Sequence, residues 1–334
     1  MTALSSTHTR SAEVPAVPID SRSVLLYSEK APLTPGPGLR DARAAWCRVP
    51  ENPDGTALLY LHGHNNYVTV GADGRSRVPD WALSDAARRG AAAKPAAPLA
   101  YGLDRLDATA RGRRPIVFVP EVAVESTGNF WAREPKGQYA DPGALGSLVE
   151  DLLAELRRTA KPGGEAYLPK GASDGGGPLR AASLRRLCLA GHSGAGLPLE
   201  EAAVSRLVLP ADGVPTDLCL LDSTYWSEVS GFVRFCREWS QAGRLGGSGR
   251  AARLLCIYRP NTQTEPIADA LRAQVAREIG VDAASLRVDH TAENLESAVL
   301  PALRTARALF IRTPVPHDAI PTEFIPHILT TAPL

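Results

Sequence analysis

The chain has 334 residues, of which 44% are hydrophobic and 22% are charged, and this balance excludes an intrinsically disordered protein. Its 37 basic and 36 acidic side chains leave a net charge of +1, so nucleic acid is not an expected partner. No apolar run approaches the roughly 20 residues that span a bilayer, and residues 1–20 contain no apolar signal segment, so we expect neither a membrane span nor an export signal.

The order of apolar segments indicates an α/β protein. Residues 1–22 are rich in Ser, Thr, Ala and Pro, and we expect a disordered tail there, followed by one domain over residues 23–334. In that domain, short apolar runs alternate with longer amphipathic ones, which predicts a mostly parallel sheet with helices on both faces. The predicted strands are Ser23–Ser28, Ala44–Val49, Ala57–Leu61, Ile116–Val119, Leu187–Ala190, Leu218–Leu221, Leu254–Tyr258 and Ala308–Arg312. The predicted helices are Asp141–Thr159, Leu197–Leu207, Val229–Ala242 and Pro266–Ile279, the last ended by Gly280.

The cysteine pattern indicates a reducing compartment. There are five cysteines, an odd number, and Cys188, Cys219 and Cys256 each lie inside an apolar run that reads as a buried strand. Such residues are typical small core side chains rather than parts of a disulfide framework. We therefore expect a cytoplasmic protein.

A serine lies between a predicted strand and a predicted helix, in Gly191-His192-Ser193-Gly194-Ala195. A sharp strand-to-helix turn of the G-x-S-x-G kind needs small residues two positions before and after the serine, and Gly191 and Ala195 meet that need. Such a turn exposes the hydroxyl above the strand end and points the amide of Gly194 toward a developing oxyanion. The alternative interpretation is that Ser193 only caps the following helix.

A second motif follows the third predicted strand, where the chain reads His62-Gly63-His64. In acyl-transfer sites with this architecture, the loop after that strand supplies the other oxyanion amide, and a His-Gly pair permits close backbone approach. The alternative is a metal site built on the two histidines. No acidic residue or Cys/His cluster follows to complete a ligand shell, so we expect no metal.

A nucleophilic serine needs a general base, which in turn needs an acid to orient it. His317 follows the last predicted strand by a few residues, where the base should lie. Two residues are candidates for the acid: Asp222, directly after the strand beyond the serine turn, and Glu265, after the next strand. We favour Asp222 because it adjoins an ordered strand. His290 and His327 lack a comparable context.

These residues resemble the α/β-hydrolase superfamily of esterases, lipases, thioesterases and peptidases, over most of the chain from about residue 23. The resemblance implies a mostly parallel central sheet of about eight strands, a Ser-His-acid triad and no cofactor. Carried over position by position, it assigns these roles: Ser193 as nucleophile, His317 as base, Asp222 or Glu265 as acid, and the backbone amides of His64 and Gly194 as the oxyanion hole.

The expected function is that of a serine hydrolase that cleaves a carboxylic ester, or a related acyl bond, in a small-molecule acyl substrate. Aromatic residues in Glu121–Tyr139 and Ser223–Trp239 predict cap or lid segments near 121–140 and 223–250, which either form an apolar pocket or pack a cap on the core. Two alternatives stay open: an amidase, peptidase or thioesterase with the same triad, and a non-catalytic ligand-binding protein with the same fold.

Overall fold

The computed structural model describes residues 16–28, 43–63, 97–120, 143–168, 178–211, 213–227, 229–247 and 250–333. Within these ranges, ten strands form one sheet in the order β1-β2-β3-β5-β4-β6-β7-β8-β10-β9. The strands are β1 (Val17–Pro18), β2 (Ser23–Ser28), β3 (Arg43–Arg48), β4 (Thr56–Leu61), β5 (Ile116–Pro120), β6 (Arg186–His192), β7 (Thr216–Leu221), β8 (Arg253–Tyr258), β9 (Arg287–Asp289) and β10 (Ala308–Arg312). All neighbours from β5 to β9 pair in parallel, whereas β1 with β2, β2 with β3 and β3 with β5 pair antiparallel.

Every predicted strand is present, and the prediction of a mostly parallel sheet is confirmed. Two short edge strands, β1 and β9, were not predicted because they have two and three residues, too few to show a period. In the first of them Val17 pairs with Leu25. Ordered structure therefore begins before the predicted boundary at Ser23.

Helices cover both faces of the sheet. They are α1 (Ala97–Ala100), α2 (Leu106–Thr109), α3 (Ala144–Arg158), α4 (Gly196–Ala203), α5 (Ser230–Gln241), α6 (Thr264–Ile279), α7 (Leu300–Thr305) and α8 (Ile320–Thr331). In β6, Leu187 and Leu189 face the core that contains α3 to α6, and Cys188 and Ala190 face the core that contains α1, α2, α7 and α8. Both faces of the strand are buried, which explains its continuous apolar sequence.

Two helix predictions differ from the structure by three residues or more at one end, and one long helix was not predicted. The predicted helix from Asp141 begins at Ala144, and residues 141–142 lie outside the described part. Helix α4 ends at Ala203 instead of residue 207, because the chain then turns and the Val208 carbonyl accepts a hydrogen bond from Trp239 Nε1 at 2.9 Å. Helix α8 was not predicted, since prolines at positions 321 and 326 discourage a helix assignment; the first of them lies in the opening turn, where its missing N–H costs nothing.

The three cysteines that were predicted to lie in buried strands do so. All five cysteines are free and buried, and Cys188 and Cys219 lie on neighbouring strands with their Sγ atoms 3.9 Å apart. Among the described residues, no helix has the length and apolar character that a bilayer crossing requires.

The two predicted lid segments have different outcomes. Segment 121–140 lies outside the described residues. In segment 223–250, helix α5 packs Phe232, Phe235 and Trp239 into the core on one face of the sheet. Tyr225, before that helix, instead lies at the carboxyl-terminal edge of the sheet, where the predicted site residues are located.

A buried ion-pair network lies at the opposite, amino-terminal edge, and sequence patterns did not indicate it. Asp217 in β7 is fully buried between Arg186 in β6 and Arg253 in β8. Arg186 Nε donates to one carboxylate oxygen at 2.8 Å, and Arg253 Nε donates to the other at 2.6 Å. Both guanidinium groups also donate to carbonyl oxygens, which include those of Leu303 and Pro333. The network thus connects three strands to the carboxyl-terminal part of the chain.

Candidate active site

The turn after β6 has the geometry of a nucleophile elbow. Ser193 has a φ of +55°, a left-handed conformation that is uncommon outside glycine. It begins a short 3₁₀ turn, Ser193–Ala195, that leads directly into α4. The N-cap positions of the turn and of α4 are His192 and Ala195, so the interpretation of Ser193 as a helix cap is wrong.

Two close contacts around this turn require glycine. A Cβ atom at Gly63, directly after β4, would lie 2.6 Å from the Cβ atom of Ser193. A Cβ atom at Gly196 would lie 1.9 Å from the carbonyl oxygen of Ser223. Such distances are far inside van der Waals contact, so any other residue would push the segments apart. The glycines therefore allow the loops after β4 and β7 to meet the elbow.

The structure brings two of the predicted triad residues into direct contact. His317 Nδ1 donates a hydrogen bond to Asp222 Oδ2 at 2.6 Å. Asp222 follows β7 at once, and His317 begins a 3₁₀ turn five residues after β10, so both lie at the same edge of the sheet as Ser193. The Asp222 side chain is fully buried, whereas the His317 side chain is 23% exposed. The imidazole is therefore held by a buried carboxylate and remains partly accessible.

The Asp222 carboxylate is held by two further side chains, one in the loop after β8 and one at the start of α6. Arg259 Nε donates to Oδ2 at 2.6 Å, and Thr264 Oγ1 donates to Oδ1 at 2.7 Å. Burial acts to raise the pKa of Asp222, but hydrogen bonds from His317, Arg259 and Thr264 outweigh it and lower the pKa to about 2. The carboxylate is consequently ionised at any pH near neutrality.

The other candidate acid, Glu265, is engaged elsewhere. Its carboxylate accepts hydrogen bonds from Arg312 Nε and from the backbone N–H of Asn261, both at 2.6 Å. These hydrogen bonds lower the pKa of Glu265. Because Glu265 lies in the first turn of α6, its side chain reaches the end of β10 rather than His317.

The rings of His192 and Tyr225 pack against the His317 ring. The His192 ring lies 4.4 Å from the His317 ring, and His192 Nε2 donates to the His317 carbonyl oxygen at 3.1 Å. The Tyr225 ring meets the His317 ring edge-on at 6.3 Å. Burial and the charge of Asp222 raise the pKa of Tyr225, while hydrogen-bond interactions with Arg259 and Ser193 oppose the rise.

Ser193 is therefore close enough to Tyr225 to affect its pKa. Among the described residues, it does not form a hydrogen bond with His317 in this conformation. Catalytic hydrogen bonds are commonly long or poorly aligned in unliganded sites and tighten when substrate binds. The arrangement is that of an imidazole paired with a buried carboxylate, and Ser193 directly follows the histidine whose ring packs on that imidazole.

The remaining predicted positions have simpler surroundings. His64 lies outside the described residues, so the predicted oxyanion amide there is not described. His62 is buried, and its Nδ1 donates to the Gly63 carbonyl oxygen at 3.0 Å. His290 Nδ1 lies 2.8 Å from Thr313 Oγ1, within the fold.

Possible metal ligands come together once in the described part of the chain, where ligand atoms of His192, His317 and Asp318 lie within 4.8 Å of one another. Two of these side chains are already engaged, His317 Nδ1 by Asp222 and His192 Nε2 by the backbone. The grouping follows from the packing of the two histidine rings.

Sequence patterns did not indicate Arg259 or Thr264 as partners of the acid. Their position in the sequence could have indicated this role. Both residues follow the carboxyl end of β8, which is the neighbour of β7 in the sheet, and Asp222 directly follows β7.

The strand order decides the fold. Without the edge strands β1 and β9, the sheet reads β2-β3-β5-β4-β6-β7-β8-β10, with the serine elbow after the central strand β6 and β3 as the antiparallel member. The chain has an α/β-hydrolase fold.

Comparison with known proteins gives structural similarity only. No family model matches the chain, and no curated protein sequence matches it. A solved ferulic acid esterase is 11% identical, with a TM-score of 0.45 and coverage of 93% of this chain and 98% of the esterase. A feruloyl esterase module from Clostridium thermocellum, complexed with sinapinate, is 11% identical, with a TM-score of 0.45 and coverage of 94% and 89%. Poly(aspartic acid) hydrolase-1 from Sphingomonas sp. KT-1 is 10% identical, with a TM-score of 0.43 and coverage of 93% and 99%.

Proposed function

We propose that this α/β-hydrolase-fold protein is a serine hydrolase that cleaves a carboxylic ester, or a related acyl bond, of a small molecule. The observation that supports it most is the 2.6 Å hydrogen bond from His317 Nδ1 to the buried Asp222 carboxylate, beside a serine with positive φ. A buried carboxylate that orients an imidazole near a serine hydroxyl is the arrangement that activates a serine.

In the proposed reaction, Ser193 Oγ attacks the substrate carbonyl carbon while His317 Nε2 takes the hydroxyl proton. Asp222 holds the imidazole through Nδ1 and stabilises the imidazolium. The tetrahedral intermediate expels the alcohol, which receives the proton from His317, and an acyl-enzyme remains. Water then gives a proton to His317 and attacks the acyl carbon, and the return of the proton to Ser193 releases the carboxylic acid.

The negative oxygen of the tetrahedral intermediate needs donors that are in place before the reaction. We assign this role to the backbone amides of Gly194, in the turn that starts at Ser193, and of His64. The close approach of Gly63 to Ser193 supports a role for the loop after β4, because it brings the backbone before His64 against the nucleophile.

The test of the proposed function is covalent labelling with a fluorophosphonate, which reacts with activated serines. We expect stoichiometric labelling of the wild type, with the added mass on the peptide that contains Ser193, and none in the folded Ser193→Ala variant. A matched control is Ser240→Ala, in α5, which should label as wild type does. A wild-type protein that remains unlabelled would favour non-catalytic ligand binding instead.

Fluorophosphonate labelling does not show which type of acyl bond the protein cleaves. Turnover of p-nitrophenyl acetate, the corresponding anilide and the corresponding thioester separates the ester-hydrolase proposal from amidase and thioesterase activity. We expect the ester to give the highest kcat/KM.

A further inference from the structure

A cavity of about 360 Å³ lies at the amino-terminal edge of the sheet, away from the proposed active site. Its lining includes Arg111 and Arg113, which precede β5, Arg304 in α7, and His327 and Thr330 near the end of α8. These segments lie near the amino-terminal ends of the parallel strands. The proposed nucleophile, Ser193, follows the carboxyl-terminal end of β6. A six-residue strand is about 20 Å long, so the cavity and the proposed active site are separated by the length of the sheet.

The lining is strongly electropositive. It includes Arg111, Arg113 and Arg304 and contains no aspartate or glutamate. Within the described ranges, none of these three arginines forms a salt bridge. Three arginine residues thus line one cavity, and within the described ranges none of them is paired with a carboxylate.

Carboxylates act on the cavity only from a distance. Asp54 acts on Arg113 through its charge, and Glu296 and Glu323 act in the same way on His327. In the described part of the chain, no carboxylate oxygen lies within 4.0 Å of the Arg113 or His327 side-chain nitrogens. Burial and the charge of Arg111 lower the pKa of His327, against the effect of the two glutamates.

The Arg113 side chain is fixed in position, and its surroundings disfavour its charge. Arg113 donates to the Ala332 carbonyl oxygen at 2.5 Å, so its guanidinium is held in place. Burial, and the positive charges of Arg186 and Arg253, lower the pKa of Arg113, while Asp54 and Asp217 oppose this. A charged guanidinium in these surroundings is destabilised, and a bound anion would offset that cost.

We propose that this cavity binds a small organic ligand through its phosphate group. The planar fork of arginine matches the oxygens of phosphate, and several arginines around one concave site are typical of phosphate recognition. The volume is within the range of small-molecule sites and exceeds what a single inorganic ion fills, which favours an organic phosphate.

The test uses the full chain with the Ser193→Ala substitution, so that no hydrolysis contributes to the signal. Inorganic pyrophosphate and glycerol phosphate are titrated by calorimetry at constant ionic strength, and citrate serves as the carboxylate comparison. We expect saturable one-to-one binding of both phosphates. The double variant Arg111→Gln/Arg304→Gln should weaken it by at least about tenfold, since it removes two of the three guanidinium groups that can donate to the phosphate oxygens.

The matched control is Arg277→Gln, in the last turn of α6, where the arginine is exposed and lies outside the cavity. Its affinity for pyrophosphate should equal that of the parent protein. Absence of saturable binding, equal binding by the double variant, or tighter binding of citrate than of pyrophosphate would each overturn the proposal. The double variant made in the protein with Ser193 intact should keep the labelling of Ser193, which separates failure of this proposal from failure of the proposed hydrolase.

Discussion

Replacing Asp222 with asparagine is expected to lower kcat for ester hydrolysis by about 10⁴-fold. The asparagine side chain has nearly the same shape, but it cannot supply the negative charge that stabilises the imidazolium of His317. It also leaves Arg259, whose Nε lies 2.6 Å from Asp222 Oδ2, beside a neutral group. The measurement is steady-state turnover of p-nitrophenyl acetate, with circular dichroism to show that the variant is folded.

The matched control for this prediction is Glu265→Gln. Glu265 is the other candidate acid from sequence, and it pairs with Arg312 near the surface of the same edge. A surface ion pair contributes about 0–1 kcal/mol, so this variant should retain kcat within about fivefold of wild type. If Glu265→Gln lost activity and Asp222→Asn retained it, the assignment of the acid would be reversed.

Replacing Asp217 with asparagine is expected to lower the free energy of unfolding by about 3–5 kcal/mol. Asp217 is fully buried, and its removal leaves the Arg186 and Arg253 guanidinium groups without their counter-charge. The loss is measured by urea denaturation at pH 7, followed through tryptophan fluorescence. An unchanged unfolding midpoint would contradict it.

The contribution of Asp217 also depends on pH in a direction that follows from its pKa. Its two arginine partners outweigh burial and lower the pKa from 3.8 to about 2. The unfolded chain therefore binds the proton first as the pH falls, so the contribution is fully present above pH 3.8 and is lost as the pH approaches 2. We expect the difference between wild type and Asp217→Asn to be smaller at pH 3 than at pH 7.

An exposed ion pair provides the control for this prediction. Asp289, whose side chain is 59% exposed, pairs with Arg287. Because surface pairs contribute about 0–1 kcal/mol, Asp289→Asn should leave the urea midpoint nearly unchanged at both pH values.

Much of the fold follows from local sequence patterns. Each long strand could be predicted because both of its faces are buried, which makes the sequence continuously apolar over the strand. The turn at Ser193 could be predicted because a sharp bend excludes large neighbours within five residues of the chain. The prolines in α8 argue locally against a helix. The helix forms nevertheless, because burial of Phe324 and Ile328 in the core compensates for the low helix propensity of proline.

The sequence by itself determined the α/β class, the eight long strands, the serine elbow and the histidine after the last strand, because each depends on residues close together in the chain. The tertiary structure decided what depends on the path of distant segments. It brought Asp222, rather than Glu265, into contact with His317. Their side chains lie 2.6 Å apart although 95 positions separate the two residues in the chain. It also buried Asp217 between two arginines and gathered Arg111 and Arg304 around one cavity. Contacts of this kind leave no periodic pattern in the sequence, because the spacing between the partners is set by the intervening strands and helices.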